Sequence, residues 1–182
     1  MNEAAGKVYE RLLILRCQTG DASALTELIS RYSPGVRLYL SKLGAGAALD
    51  DLLQDTWFDV YRKLHTLQRA EAFPAWLYRI ARDKAYRRHR RRELPAAASE
   101  FDLAELSDDA EETLSEDEAA GVRAALDQLP LELREVLLLR FVESMTYEQI
   151  AQVVNCPLGT VRSRLHYAKL ALRAKLETQL NE

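Results

Sequence analysis

Residues 146–175 read TYEQIAQVVNCPLGTVRSRLHYAKLALRAK, and the rest of the chain is organised around them. By period they form two helices separated by a four-residue break. In the first, Ile150, Ala151 and Val154 make an apolar side. Thr146 and Gln149 have the spacing of a capping box, in which each side chain satisfies an orphan backbone amide. The break is Val154-Asn155-Cys156-Pro157. Asn155 is one of the few non-glycine residue types that accept the left-handed conformation needed there. Pro157 suits the first position of the next helix, where no amide hydrogen is missed. Val161, Leu165, Ala168 and Leu172 then recur at the 3.6-residue period, which turns Arg162, Ser163, His166 and Tyr167 away from them. A short helix, a tight turn and a second helix with a basic outer face make a helix-turn-helix, whose second helix is able to enter a DNA major groove. A plain helical hairpin with a solvated basic face is the competing reading of this stretch taken alone.

Charge supports the DNA reading once it is resolved along the chain. The 182 residues carry a formal net charge of -3, which does not suggest a nucleic-acid binder. Ten of the acidic residues, however, lie between Ser99 and Glu118, where there is no Lys or Arg. The remainder holds 25 basic against 18 acidic residues (28 minus 10), about +7. Two basic parts flanking an acidic middle are the asymmetry that accompanies a nucleic-acid partner. Cys17 and Cys156 stand far apart without zinc-ligand spacing, so they read as lone thiols in a reducing compartment. The N-terminus lacks the cationic start and apolar core of a signal peptide, and no apolar run approaches membrane-spanning length. A cytoplasmic protein is the expectation.

Taken in order, the chain reads as helix throughout. Residues 7–18 form an amphipathic helix with Val8, Leu12, Leu13 and Leu15 on or near its apolar side, stopped by Gly20. Asp21 caps a second helix carrying Leu25, Leu28 and Ile29. Pro34 and Gly35 punctuate it, and Val36, Leu38, Tyr39, Leu40 and Leu43 resume the pattern. After Gly44-Ala45-Gly46, a long helix from Leu49 to Leu67 has Leu52, Leu53, Trp57, Val60, Tyr61 and Leu64 as its stripe. Its acidic start (Asp50, Asp51, Asp55) is what the helix dipole favours. Gln68 to Pro74 is a loop, and Ala75 opens WLYRIARDKAYRRHRRR. There Leu77, Ile80, Ala81 and Lys84 share one side, and Arg79, Arg82, Tyr86 and Arg90 the other. Eight Lys or Arg and one Asp lie between Arg79 and Arg92. Phe73, Trp76 and Tyr78 crowd the entrance of this helix. Cations for phosphates beside aromatics for stacking suit single-stranded nucleic acid; a solvated basic helix is the alternative.

From Glu93 to Thr113 the composition is that of a linker, extended or disordered in isolation, with Phe101, Leu103 and Leu106 as apolar exceptions. Helical periodicity returns from about Leu114, with Val122, Ala125, Leu126 and Leu129. Pro130 starts another helix with Leu133, Val136, Leu137, Arg140 and Phe141. The fold class is therefore all-α: two small helical domains joined by a flexible acidic linker, the second containing the helix-turn-helix.

Three segments of the first half, GDASALTELISRY, LDDLLQDTWFDVYRKL and FPAWLYRIARDKAYRRHRRR, and LPLELREVLLLRFVESMTYEQIAQVVNCPLGTVRSRLHYAKLALRAKL of the second resemble bacterial RNA polymerase sigma factors of the small extracytoplasmic-function group. The resemblance spans all but the first few residues and the linker, and nothing matches the extra domains of housekeeping sigma factors. It implies three parts: a polymerase-binding and −10 domain over 1–93, an acidic linker over 94–115, and a −35 domain over 116–182. It implies that Asp51, Gln54, Asp55 and Phe58 meet the clamp coiled-coil of core RNA polymerase, and that the linker threads into the polymerase channel. It implies that the loop Gln68–Pro74 and the following helix, through Phe73, Trp76, Arg79, Arg82, Asp83, Tyr86, Arg87 and Arg90, capture the melted −10 strand. Arg162, Ser163, His166 and Tyr167 are then expected to face the duplex −35 element, with Thr160, Arg164 and Lys169 mainly on phosphates. An anti-sigma factor is the expected further partner. No cofactor, metal, small-molecule substrate or catalytic residue is expected. The chain departs from the family pattern at Asp83 (commonly Asn), at Arg87 (often Asn or Asp), at Tyr167 (often Arg) and, mildly, at Asn155 (commonly Gly). Promoter preferences that depend on the first three are therefore not carried over. The competing reading is a stand-alone helix-turn-helix regulator, which leaves the aromatic-basic helix and the acidic tether without a role. An enzyme fits least, since His65, His89 and His166 sit in separate elements with no nucleophile–base pairing and no phosphate loop.

Overall fold

The computed structural model describes residues 3–92 and 124–180, with side chains described over 5–88 and 124–177. Every element among them is helical, and the chain divides into two compact units at Pro95–Ala96. The linker with Phe101, Leu103 and Leu106, the helix start at Leu114 with Val122, and the side chains of His89 and Arg90 lie outside the described residues.

The first unit is built from α1 (Glu3–Gln18), α2 (Ala22–Lys42), α3 (Leu49–Lys63) and α4 (Phe73–Arg92). α1 stops where Gly20 takes a φ of +90°, a conformation glycine adopts without steric cost. Asp21 then caps α2, accepting from the amides of Ser23 and Ala24. The Ser23 hydroxyl, the Ala24 amide and the Arg16 guanidinium hold its carboxyl well below the usual carboxylate range. α1 buries Leu13 and Ile14 and leaves Val8, Leu12 and Leu15 exposed, which corrects the stripe expected from sequence. Apolar residues at 8, 12, 13, 14 and 15 define two overlapping stripes, and only the neighbouring helices decide which is covered.

α2 runs unbroken through Pro34, where the sequence predicts punctuation. An interior proline costs a helix about 3 kcal/mol. The helix survives because both halves are anchored, by Ala24 and Leu28 before the proline and by Val36, Tyr39 and Leu40 after it, all buried. α3 buries Leu52, Thr56, Trp57 and Val60, but Tyr61 is exposed and leaves the expected stripe. Two short 3-10 turns, Leu64–Thr66 and Ala70–Ala72, lead into α4. This helix begins at Phe73, two residues before the expected start, with Pro74 in its first turn, where the missing amide is harmless. Tyr39 and Tyr78 pack edge to face at 5.1 Å in the centre of the unit. Asp59 of α3 ties α4 down, with Lys84 Nζ at 3.1 Å and Lys63 Nζ at 3.2 Å.

In the second unit a helical stretch at 124–127 leads to α5 (Leu131–Leu137), which opens directly after Pro130. The Arg134 guanidinium donates to the carbonyls of Asp127 (2.7 Å) and Leu129 (2.9 Å), closing the turn between them. α5 runs on into a π-helical turn, Leu138–Val142. Leu133, Val136, Leu137, Leu138 and Leu139 are buried, while Phe141, placed in the apolar stripe by its spacing, is exposed with Val142. The wider turn has a different residue period, which rotates the residues beyond Leu139 out of the α-helical stripe. α6 (Tyr147–Val154) and α7 (Leu158–Leu180) complete the unit.

Candidate nucleic-acid interface

The helix-turn-helix forms for the reasons visible in its residues. The Gln149 amide donates to Thr146 Oγ1 at 3.3 Å, and the Thr146 amide donates to Gln149 Oε1 at 2.9 Å, so both halves of the capping box are made. Asn155 sits in the left-handed region with φ 54° and ψ 53°. The Pro157 carbonyl accepts from the amides of Thr160 and Val161, so Pro157 stands just ahead of α7 rather than as its first residue. Arg140 steadies the approach from behind, with Nη1 donating to the Met145 carbonyl at 3.2 Å and the guanidinium over the Tyr147 ring. Ile150, Val153, Val154, Val161, Leu165 and Ala168 are buried between the two helices and α5.

The outer face of α7 differs from its expected composition at two residues. Ser163 is only 2 % exposed, and its hydroxyl donates to the Thr160 carbonyl at 3.1 Å. It therefore offers no outward donor and does not face a groove. Helical side chains lean toward the N-terminus, so His166 and Tyr167, three and four residues on, tilt back over this short side chain. Arg164 is not a free phosphate contact either. Its Nη2 lies 2.9 Å from Glu132 Oε2 of α5, with the side chain 13 % exposed. What α7 presents is Arg162, exposed, beside the half-buried pair His166 and Tyr167, whose rings meet edge to face at 5.6 Å. Thr160 and Lys169 flank them, Lys169 with its ammonium 5.8 Å above the Phe141 ring. Glu148 of α6 lies close enough to Arg162 for its charge to contribute to a lowered Glu148 carboxyl. The larger contributions come from Glu148's own amide and the Thr146 hydroxyl.

α4 carries the second surface. Phe73 is completely buried, packed edge to face on Tyr32 at 5.2 Å and tilted against Trp76 at 6.1 Å. It is a core residue, which removes it from the stacking set; the sequence shows an aromatic at the helix entrance but not the ring of α2 that receives it. Trp76 is half-buried. Arg79, Asp83 and Arg87 are exposed and Arg82 and Tyr86 half-exposed. The Arg82 guanidinium lies over the Tyr86 ring at 4.1 Å, and Arg87 Nε donates back to the Asp83 carbonyl at 3.1 Å. Burial works to raise the Asp59 carboxyl, yet the Lys84 and Lys63 ammonium groups outweigh it and hold the carboxyl below its usual range. Lys84 is thus turned inward, opposite the arginine row.

A third surface lies on α3. Asp51, Gln54, Asp55 and Phe58 are all exposed, on the side away from Leu52, Thr56, Trp57 and Val60. The Arg62 guanidinium sits 5.6 Å above the Phe58 ring. Tyr61, which spacing assigns to the core, is 67 % exposed and extends this face beside Phe58, itself 57 % exposed. Two large aromatics thus stand in water three residues apart on one helix.

A helix-turn-helix in one unit and an aromatic-basic helix in the other are the features of a nucleic-acid-binding protein. Models of Sigma-70 region 2 and Sigma-70, region 4 match residues 28–94 and 119–172. The ECF RNA polymerase sigma-E factor of Escherichia coli (strain K12) is 32 % identical over 94 % of this chain and 96 % of its own length. That of Haemophilus influenzae is 30 % identical over 95 % and 98 %. Among solved structures, CnrH in complex with the cytosolic domain of CnrY superposes with a TM-score of 0.67 at 23 % identity, covering 93 % of this chain and 97 % of that one. The sigma factor RpoE of Bartonella quintana, in complex with the anti-sigma factor NepR, gives 0.64 at 22 %, covering 84 % and 96 %; both share the fold. The chain belongs to the extracytoplasmic-function group of the sigma-70 family, the dissociable subunits that direct core RNA polymerase to promoters.

Proposed function

We propose that the two units divide promoter recognition between them. The unit before residue 93 docks on core polymerase through Asp51, Gln54, Asp55 and Phe58 of α3, with Tyr61 added. It captures the melted −10 strand through Trp76, Arg79, Arg82, Asp83, Tyr86, Arg87 and Arg90 of α4. The unit from 116 onward reads the duplex −35 element through Arg162, His166 and Tyr167, with Thr160 and Lys169 on phosphates. The protein performs no chemistry of its own and works in the cytoplasm, where polymerase is. No helix among the described residues is long and apolar enough to cross a membrane. An anti-sigma factor holds the protein until a signal releases it. Of the structural neighbours above, RpoE was solved with the anti-sigma factor NepR and CnrH with the cytosolic domain of CnrY, and the exposed α3 face offers an apolar surface to cover.

The observation that carries this reading is the simultaneous exposure of the α3 face and the α4 arginine row, for which a stand-alone regulator has no use. Transcription in vitro with core polymerase over a library randomised at −35 and −10 tests it. Promoter-selective transcription that requires the chain is expected. Tight duplex binding by the isolated chain, with no effect of the chain on polymerase, would return the reading to a stand-alone regulator. Pull-down from the source cell is expected to recover an anti-sigma partner, and constitutive promoter activity at native levels without one would remove that element.

A further inference from the structure

The segment between α3 and α4, read above as the loop that captures the melted strand, is not held by those two helices alone. Gln18, the last residue of α1, reaches across the unit. Its side-chain Nε2 donates to the carbonyl of Leu64 at 3.0 Å and to that of Leu67 at 2.7 Å. A primary amide nitrogen has two hydrogens, so both are used, one at each end of the 3-10 turn that leads from α3 into the loop. Two turns earlier on the same helix, Arg11 Nε lies 3.0 Å from Glu71 Oε1, inside the loop itself. α1 therefore touches the loop at its entrance and near its exit, two points about 10 Å apart along the helix axis by the 1.5 Å rise.

The platform is itself anchored. Leu13 and Ile14 are fully buried. The Tyr9 hydroxyl donates to Glu27 and the Tyr32 hydroxyl to Glu10, each at 2.6 Å. Between the two tethers Gln68 and Arg69 remain exposed, so the anchored backbone leaves their side chains outward. α1 also precedes residue 28, where the region 2 match begins, so Gln18 and Arg11 lie outside that matched region while their partners lie within it.

We infer that Gln18 and Arg11 are positioning residues for −10 recognition: α1 fixes the backbone of loop 67–72 so that Gln68 and Arg69 meet one base of the melted strand in a single geometry. This rests on the reading of the loop as the −10 reader. Loosening the loop spreads its side chains over several geometries. Affinity for the strand, carried by the α4 cations, survives, and discrimination at the loop's base falls.

The test uses holoenzyme assembled from core polymerase and the full chain, scored on promoters randomised separately at −10 and −35. Gln18→Leu keeps the bulk and removes both donors. The expected result is a loss of base preference at one −10 position by about tenfold, within the range of a single base-specific contact. Preference at −35 and the midpoint of polymerase binding should remain unchanged. Arg11→Glu should do the same to a smaller extent, and Arg11→Glu with Glu71→Arg should restore it, which a general loss of stability would not allow. If Gln18→Leu fails to fold by circular dichroism, the Arg11 series carries the test. Equal scaling of every promoter by these variants overturns the inference. Gln68→Ala with Arg69→Ala separates the two levels. If those substitutions change the −10 preference and the α1 variants do not, the positioning role alone is wrong. If they change nothing, the loop does not read −10 and the inference falls with that reading.

Discussion

α4 and α7 have similar formulas, basic helices with aromatics among the cations, and the fold uses them differently. Each gives up one cation to the interior: Lys84 of α4 to Asp59, and Arg164 of α7 to Glu132. What remains outside is not alike. α4 keeps three cations outside, Arg79, Arg82 and Arg87, with Tyr86 under Arg82. α7 keeps Arg162 beside two rings, with Ser163 folded away and Lys169 above Phe141. A row of cations over stacking aromatics suits a backbone of phosphates with little regard to base. One guanidinium beside imidazole and phenol suits a few base edges. Formal charge thus overstates what each helix presents, and it is the neighbours on α3 and α5 that subtract from it.

The largest expected effect concerns whether the aromatic entrance of α4 belongs to the fold or to the strand. Phe73→Ala should cost about 3–5 kcal/mol, the usual loss for a buried Phe, seen in chemical unfolding of the free protein. Trp76→Ala should leave stability much less changed and weaken binding of holoenzyme to a pre-melted promoter, by about 1–3 kcal/mol if the ring stacks on one base. If Trp76→Ala matches Phe73→Ala in unfolding and leaves strand binding alone, α4 has no stacking residue at its entrance.

Next in size is the contrast within α7. Arg164→Ala removes a part-buried charge-assisted hydrogen bond and should cost about 1.5–3 kcal/mol of stability, lowering transcription from every promoter by one factor. Arg162→Ala, on an exposed residue, should stay within about 0.5 kcal/mol in unfolding. It should lose about 1–3 kcal/mol of discrimination at one or two −35 positions. A randomised −35 library measures both. If Arg164→Ala relaxes base preference without loss of stability, its ion pair with Glu132 is not a structural tie. If Arg162→Ala scales all sequences alike, Arg162 is a phosphate contact.

These residues also show where sequence reading succeeds and where it stops. The capping box, the left-handed Asn155 and the buried Val161, Leu165 and Ala168 were legible because each follows from local chemistry or from the helix period alone. Continuity through Pro34, burial of Ser163 and the outward turn of Phe141 were not. The first is decided by packing on both sides of the proline, the second by larger side chains on the same helix, the third by a π-turn whose hydrogen bonds leave no residue signature. Arg164 and Lys84 were legible as basic but not as paired, because Glu132 and Asp59 lie 32 and 25 residues away in sequence. Gln18 carried no signal, since a glutamine at a helix end is ordinary until two carbonyls from a distant turn face it.

A smaller effect tests the row on α4. Arg82→Ala removes one half-exposed cation, so the salt dependence of binding to a pre-melted promoter should lose about 0.7 from its slope, the value for one single-strand phosphate. The same substitution should not alter the slope on a duplex −35 fragment. A change on both substrates would mean that Arg82 acts through the general field of the protein.

The smallest expected effect is the tie that takes Lys84 out of that row. Asp59 has a carboxyl held below its ordinary range by Lys84 and Lys63 against the opposing effect of burial. A carboxyl depressed in the folded state stabilises the fold at pH values above its unfolded value, about 3.9. That contribution is lost as pH falls through the lower folded value. Asp59→Asn should therefore be less stable than the natural chain at pH 6, by no more than about 1 kcal/mol for a pair still partly in water. The difference should shrink as both are taken below about pH 4. Urea unfolding of the two proteins from pH 6 to pH 3 measures it, and taking the difference between them cancels the acid response of Asp21, Glu148 and the other carboxyls. The expected signature is convergence on the acid side. A constant gap across the range would mean that Asp59 acts by packing rather than charge, and that Lys84 is available to a strand after all, making α4 more basic than its folded face suggests.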